Sequence, residues 1–408
     1  MTNSKLSPVE HYDVVVAGAG LVGATFAARL AGAQGAGGLR IAIIDKQADA
    51  PPHVEEMFDP RVVALTEASR ILLDAAGIWT NGVSAKASPY CHMEVRDGEG
   101  TGFIEFDCAD VHQPNLGHIV ENSVIVAAAH QRLGALANVE IIAEGIQSVA
   151  ADARAQRVIN LDGGRRLAAP LLVAADGANS LVREQCGFCL RTWDYGHSAV
   201  VATIGSRQPH NHTAFQWFSS AGPLAFLPLV SADGDCHYSS IVWSQDHQVA
   251  ADLMALDDDA FCRAIGQASE WRLGDIISVS RRHCLPLRQR HATEYVRPGV
   301  ALLGDAAHTI HPLAGQGVNL GFADARVLVE EILRGLARKL AVGDISTLER
   351  FQRRRKPDNL AMMAAMEGFK RLFGHQNPLL RVLRNSGMSG LNHLEPLKNQ
   401  LIRQAMGF

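Results

Sequence analysis

Aspartates that follow short buried strands are the residues of this chain best suited to chemistry. Asp305 comes directly after Val300-Ala301-Leu302-Leu303-Gly304, where its carboxylate can accept a hydrogen bond from a ligand hydroxyl. Beyond it, His308 and His311 are candidate proton acceptors, although a lone loop histidine also serves structural ends. Pro312, Gly315, Gln316 and Gly317 then shape a loop whose backbone can approach a flat ligand closely. From Val318 and Asn319 the spacing turns helical, with Leu320, Ala323, Val327, Leu328 and Ile332 on one face. A glycine-rich loop opening a helix presents N–H groups and a positive dipole end to something electron-rich. Alone, the stretch also has a blander reading, a glycine-rich connection with no ligand.

A second signal stands near the start of the chain. Asp13-Val14-Val15-Val16-Ala17 reads as a strand, Gly18-Ala19-Gly20-Leu21-Val22-Gly23 as a tight turn, and Ala24 to Leu30 as a helix of small residues. A further strand, Ile41 to Ile44, ends in Asp45. This is GxGxxG with a strand before it, a helix after it and an acid at the end of the next strand. Gly18 permits the turn, Gly20 lets a pyrophosphate approach, and Gly23 lets the helix pack on the strand. Asp45 is placed for the ribose hydroxyls of a dinucleotide, without distinguishing FAD from NAD. A third strand, Leu171 to Ala175, ends in Asp176-Gly177, which reads either as a ligand site or as a turn capped by Asp176 or Ser180. Three acid-ended strands imply one sheet whose carboxyl edge is a ligand site. Arg61, in Asp59-Pro60-Arg61, is either a surface ion-pair partner or a group that reaches the cofactor.

The elements that must position these residues follow from the rest of the chain. With 408 residues, 47% hydrophobic content, 20% charge and a net charge of −4, the composition is that of an ordinary globular protein and not of a nucleic-acid binder. No long apolar run predicts a membrane-spanning helix, and no secretory leader is expected, because Met1 to Lys5 runs straight towards a strand. Seven scattered cysteines read as reduced thiols, with Cys186 and Cys189 as packing residues and no metal site. The region from 46 to 65 reads as a loop, and Gly117 to Asn122 as the lead into a helix from Ser123 to Leu136. Between 192 and 290 short alternating runs suggest an antiparallel sheet with an aromatic-rich face, packed on a covering helix from Asp257 to Ile265 or lining a pocket. After Gly321 the chain reads as helical. Its basic run Arg350 to Lys356 is stopped by Pro357 and belongs to a basic amphipathic region. That region is either a solvated helical face or a contact with anionic lipid or a partner.

These motifs together resemble the single-component FAD aromatic hydroxylases, which share the architecture of p-hydroxybenzoate hydroxylase. The resemblance rests on GxGxxG, on Asp176-Gly177-Ala178-Asn179-Ser180 with Arg183, and on the Gly304–Gly321 stretch. The last of these, with Asp59-Pro60-Arg61 and Gly117 to Ile125, looks like the ubiquinone-biosynthesis hydroxylases. Trp193-Asp194-Tyr195, Ala225 to Leu229, Ile241 to Ser244 and Leu401 to Gly407 look most like their 2-polyprenylphenol 6-hydroxylase branch. Asp45 stands where a glutamate is commoner, and Gly35 to Gly38 are an insert. The implied fold is α/β: a Rossmann-like FAD-binding domain (1–85, 110–185 and 295–345), an inserted antiparallel substrate domain (86–109 and 186–294) and a helical C-terminal region (346–408).

The implied chemistry is hydroxylation of a polyprenylated phenol by O2 through a flavin C4a-hydroperoxide, with NAD(P)H as reductant and no protein nucleophile. The resemblance places Arg61, Asn122 and Asp176 near the pyrophosphate and flavin, Asp305 on the ribityl chain, and Pro312, Gly315, Gln316, Gly317, Val318 and Asn319 against the isoalloxazine. It also implies a cytoplasmic protein, peripheral at the inner face of the cell membrane or joined to a quinone-biosynthesis complex. A flavin-dependent isoprenoid reductase and a non-catalytic FAD-binding scaffold carry the same three motifs.

Overall fold

The structure is a computed structural model that describes residues 8–47, 57–151, 156–310, 316–374, 385–390, 392 and 394–407. Four runs of Val, Ile, Leu and Ala are too uniformly apolar to leave one face wet. Val14–Ala17, Ile41–Ile44, Leu171–Ala174 and Val300–Leu302 are accordingly buried at every position. They form a sheet in the order Val296–Arg297, Val300–Leu302, Leu171–Ala174, Val14–Ala17, Ile41–Ile44, Val139–Ile142. Every pair is parallel except the edge pair Val296–Arg297 with Val300–Leu302. Parallel strands all end on the same edge, so Asp45, Asp176 and Asp305 come to one side of the sheet, as the sequence implies. The helices Leu21–Ala31, Asn122–Gly134 and Gln316–Ala337 share its core through Phe26, Leu30, Ile125, Leu133, Phe322 and Leu328.

The region of alternating runs is a nine-stranded sheet. Its main path is His308–Thr309, His283–Ala292, Leu190–Ser206, Tyr238–Asp246, Leu224–Leu229, Thr213–Phe218, His92–Asp97, Phe103–Asp107, and Ile276–Val279 also pairs with Leu190–Ser206. The sheet is antiparallel as expected, with one exception: Thr213–Phe218 runs parallel to His92–Asp97. The earlier segment joins through a long connection, and only such a connection allows a parallel neighbour. One face packs Trp217, Phe226 and Trp243 against Phe261 and Ile265 of the Asp258–Ala268 helix, as the packing reading of the aromatics required. The other face turns Leu227 and Leu229 towards Phe58, Ala64 and Ile119. The late motif itself joins the two sheets, because His308–Thr309 pairs with Arg290 and His291.

The structure changes several sequence readings. Val62–Leu65 and Gly117–Glu121 are strands, paired antiparallel with Val62 opposite Glu121 and completed by Ser88–Tyr90. Each is short and is stabilised by a partner distant in sequence, so neither carries a local strand signal. Pro357 does not stop the basic run, because one helix spans Ile345–Gly374 with the proline inside it. An interior proline costs a helix about 3 kcal/mol. Burial of Phe351 and Met363 and the ties of Arg355 and Asn359 on either side of Pro357 oppose that cost.

The basic run is also not a free positive face. Arg354 pairs with Glu330 and Glu331 at 2.8 Å each, Arg350 with Glu331 at 3.3 Å, Arg353 with Glu349 at 3.5 Å and Arg355 with Asp324 at 2.8 Å. Cys186 is half-buried and Cys189 exposed, and the buried residue of that stretch is Phe188 between them, so the packing role expected of Cys189 does not hold.

Candidate active site

The glycines of the first turn divide into two kinds. Gly18 has φ +97°, and a Cβ there would lie 2.3 Å from the Ala175 carbonyl oxygen. A Cβ at Gly23 would lie 2.0 Å from the Gly18 carbonyl oxygen. These two are required by close packing of turn, helix and the strand before Asp176. A Cβ at Gly20 would meet nothing within 4 Å, so this residue faces open space at the N-terminus of the Leu21–Ala31 helix. The first-turn N–H groups of that helix lack intrahelical partners and point out of its end. Asp45 holds the turn from the next strand: its Oδ2 accepts from Ala19 N at 2.8 Å, and its Oδ1 from Gln47 N at 2.9 Å.

Asp176 accepts from Val182 N at 3.2 Å through Oδ2, while Ser180 caps the Leu181–Gln185 helix by accepting from Arg183 N at 2.9 Å. Its other oxygen, Oδ1, is buried without a protein partner among the described residues, and burial pushes the carboxyl pKa up. Asp305 is reachable by solvent, yet protein crowds its carboxyl from most directions. That loss of surrounding water raises its pKa, partly countered by His308 and Arg290.

Two arginines lace these aspartate turns together. Arg183 donates to Ala306 O at 3.0 Å and Ala178 O at 2.9 Å, and Arg290 donates to Ala178 O at 2.6 Å and Asn179 Oδ1 at 2.8 Å. The spacing of Arg183 after Asp176 signals the first, whereas nothing local in the sequence signals Arg290.

Arg61 and Asn122 are brought together by strand pairing, with Asn122 N donating to Arg61 O at 2.9 Å. Asp59 fixes both ends by accepting from Arg61 N at 2.8 Å and Ser123 N at 3.1 Å. Among the described residues the exposed Arg61 side chain has no ion pair and the buried Asn122 Oδ1 has no hydrogen-bond partner.

The Gln316–Ala337 helix begins at the late loop, with Gln316, Gly317 and Val318 in its first turn. Gly321 lets this helix sit close, since a Cβ there would lie 2.6 Å from Val22 Cγ2. The side-chain amide of Asn319 is hydrogen-bonded to protein. Its Oδ1 accepts from Ser69 Oγ at 2.7 Å and Thr66 N at 3.1 Å, and its Nδ2 donates to Ala64 O at 2.8 Å. It clamps the helix to the strand before Thr66. His308 is 2% exposed, with Nε2 2.6 Å from Asp324 Oδ2. His311, Pro312 and Gly315 lie outside the described residues.

Residues 11–365 match the family described as FAD binding domain. Near full-length similarity extends to 3-demethoxyubiquinol 3-hydroxylase of Escherichia coli (strain K12), 33% identical over 97% of this chain and 98% of that protein. The chain is an FAD-dependent monooxygenase of this family. The mitochondrial ubiquinone biosynthesis monooxygenase COQ6 of Danio rerio is 32% identical over 98% of this chain and 90% of its own length. Among solved structures, p-nitrophenol 4-monooxygenase PnpA of Pseudomonas putida DLL-E4 superposes with a TM-score of 0.78 at 19% identity, covering 98% of this chain and 99% of that one, and shares the fold. FAD is therefore the cofactor of this monooxygenase, with NAD(P)H the typical reductant of its family.

The site fits FAD on its own geometry. Open space before a helix N-terminus suits a pyrophosphate, and the unpartnered oxygens Asp176 Oδ1 and Asn122 Oδ1 lie on elements that meet the same carboxyl edge. Among the described residues no grouping of His, Cys, Asp and Glu suited to a metal occurs, and no helix is long and apolar enough to cross a membrane.

Proposed function

We propose that this monooxygenase hydroxylates the ring of a polyprenylated phenol in ubiquinone biosynthesis, consuming O2 and NAD(P)H. The observation that carries the reading is the near full-length similarity to two proteins named for ubiquinone hydroxylation. The branch-like segments quoted from the sequence favour 6-hydroxylation of a 2-polyprenylphenol, whereas the Escherichia coli relative is named for position 3.

In this reading Gly18, Gly20, Gly23 and Asp45 hold the ADP half of FAD. Arg61, Asn122 and Asp176 serve the pyrophosphate and flavin, and Asp305 takes the ribityl hydroxyls. The first turn of the Gln316–Ala337 helix, with Gln316, Gly317 and Val318, turns its N–H groups to the isoalloxazine. Bound flavin supplies the oxygen activation. The chain's own part is to orient the ring, exclude water and place charge. The sheet face carrying Leu227 and Leu229 supplies an apolar wall on the side of Phe58 and Ile119. No described residue is required as nucleophile.

A polyprenyl tail is apolar, so the enzyme meets its substrate at a membrane surface or through a quinone-biosynthesis complex, placed at the cytoplasmic face. With much of the basic run paired internally, the exposed leucines Leu394, Leu397 and Leu401 along the Glu395–Ala405 helix are the better support for such contact. The opposite face of that helix, through Ile402, is held by Cys108, Val111 and Leu116.

The deciding experiment is quinone profiling of a cell lacking this protein. A polyprenylated phenol short of one ring hydroxyl should accumulate, and its structure identifies the position. Unchanged quinone and unchanged precursors would overturn the proposal. A precursor differing by hydrogen instead of oxygen would favour the reductase alternative.

A further inference from the structure

Beneath the Gly304–His308 turn lies a polar cluster that the cofactor reading does not use. Asp324, in the Gln316–Ala337 helix, is fully buried. Its Oδ2 accepts from Gly304 N at 3.2 Å and lies 2.6 Å from His308 Nε2. Its Oδ1 accepts from Arg355 Nε at 2.8 Å and from Asn359 Nδ2 at 3.2 Å. Arg355 is tied in turn to Asn359 Oδ1 at 2.6 Å, and Asn359 Nδ2 reaches Tyr295 OH at 3.3 Å. Burial alone would raise the pKa of Asp324, but His308 and Arg355 outweigh it and hold the carboxyl below its usual range. An ionised carboxylate in this position persists only because its acceptor sites are filled.

The turn above is held at both ends by this one group. Gly304 has φ +54°, and its N–H goes to Asp324, while His308 is tied to the same carboxylate four residues later. Between them, Ala306 O accepts from Arg183 and Ala307 O from Ala292 N at 2.8 Å. Asp305 makes no side-chain hydrogen bond to a described residue, and the turn that carries it is the part of the site these ties hold.

We propose that Asp324 is a positioning residue of the flavin site, which holds the Gly304–His308 turn so that the Asp305 carboxylate faces the ribityl hydroxyls. The proposal rests on the reading that Asp305 contacts FAD. Arg355 keeps Asp324 ionised and carries the connection into the Ile345–Gly374 helix. This explains why a basic residue sits buried two positions before a helix-interior proline.

A double-mutant cycle tests it. FAD is titrated into apoprotein of wild type, Asp305→Asn, Asp324→Asn and the double variant, well below each unfolding transition, with flavin fluorescence and visible circular dichroism as readouts. Asp305→Asn should weaken FAD roughly tenfold to a hundredfold, and Asp324→Asn by a similar factor. If Asp324 acts through Asp305, the double variant binds no worse than Asp305→Asn alone. A separate structural role would make the two losses add.

No loss in Asp305→Asn overturns the reading of Asp305 as a cofactor contact. A loss there with none in Asp324→Asn, or with additive losses, overturns the positioning role and leaves the cofactor reading standing. Should Asp324→Asn not fold, His308→Leu cuts the same tether and takes its place in the cycle, with His308→Gln, which keeps a donor for Asp324, expected to restore binding. Additive loss in His308→Leu, or no rescue by glutamine, overturns the proposal equally.

Discussion

At the scale of single residues the glycines and the aspartates make opposite predictions. Gly20 faces open space, so Gly20→Val should leave the thermal transition of the apoprotein unchanged while abolishing FAD retention. Gly23→Ala places a methyl 2.0 Å from a backbone oxygen and should lower apoprotein stability itself. Retention of flavin by Gly20→Val would remove that glycine from the cofactor site. Asp305 carries a pKa raised above its unfolded value, so ionising it costs folding free energy. That cost is absent below the ordinary carboxylate pKa of about 3.9, grows as pH rises towards the folded value and is constant above it. Asp305→Asn apoprotein should therefore be at least as stable as wild type at neutral pH, an advantage that disappears in acid, even as its FAD affinity falls. Urea unfolding at a series of pH values measures this. A variant less stable than wild type at neutral pH would mean the carboxylate has protein partners that stabilise it.

At the scale of elements the two long C-terminal helices are joined by charge. Glu331 is fully buried and meets Arg334 at 2.9 Å, Arg350 at 3.3 Å and Arg354 at 2.8 Å. Replacing it by alanine leaves three guanidinium groups without their common partner. The expected loss is about 2–4 kcal/mol, less than for a wholly enclosed pair because the arginines reach solvent. An unchanged urea midpoint for Glu331→Ala would show that the arginines are satisfied by water. The same arrangement changes how the basic run can be probed. Reversing Arg354 would loosen the helix pair before it reported on any anionic surface, so membrane contact is better tested on Leu394, Leu397 and Leu401.

For the whole molecule, the proposed ring hydroxylation makes a single oxygen-transfer event the expected outcome. Under isotopically labelled O2 the product should carry one labelled oxygen atom, and NAD(P)H oxidation should rise when the phenol is added. Labelled product without that stimulation would separate substrate binding from control of flavin reduction. Replacing Leu394, Leu397 and Leu401 by glutamine should reduce co-sedimentation with liposomes and leave bound FAD intact, since Ile402 and Met406 hold the helix from its other side. Equal sedimentation of variant and wild type would place membrane contact elsewhere.

The sequence by itself determined whatever is encoded within a few residues. Uniformly apolar runs of three or four residues read as buried strands, and the acids after them pointed to one sheet edge. GxGxxG between a strand and a helix likewise specified its own turn, because only glycine tolerates the backbone contacts at Gly18 and Gly23. Tertiary structure decided whatever depends on partners far along the chain. Val62–Leu65 is a strand because Gly117–Glu121 lies beside it, and Pro357 sits inside a helix because its neighbours are tied elsewhere. Charge alone could not tell whether Arg350 to Arg355 faced a membrane or the acids of a neighbouring helix. Nor could motif alone tell that Asn319 and His308 spend their hydrogen bonds on the protein. A side chain's role is set by the groups within reach of its polar atoms, and that reach is a property of the folded chain.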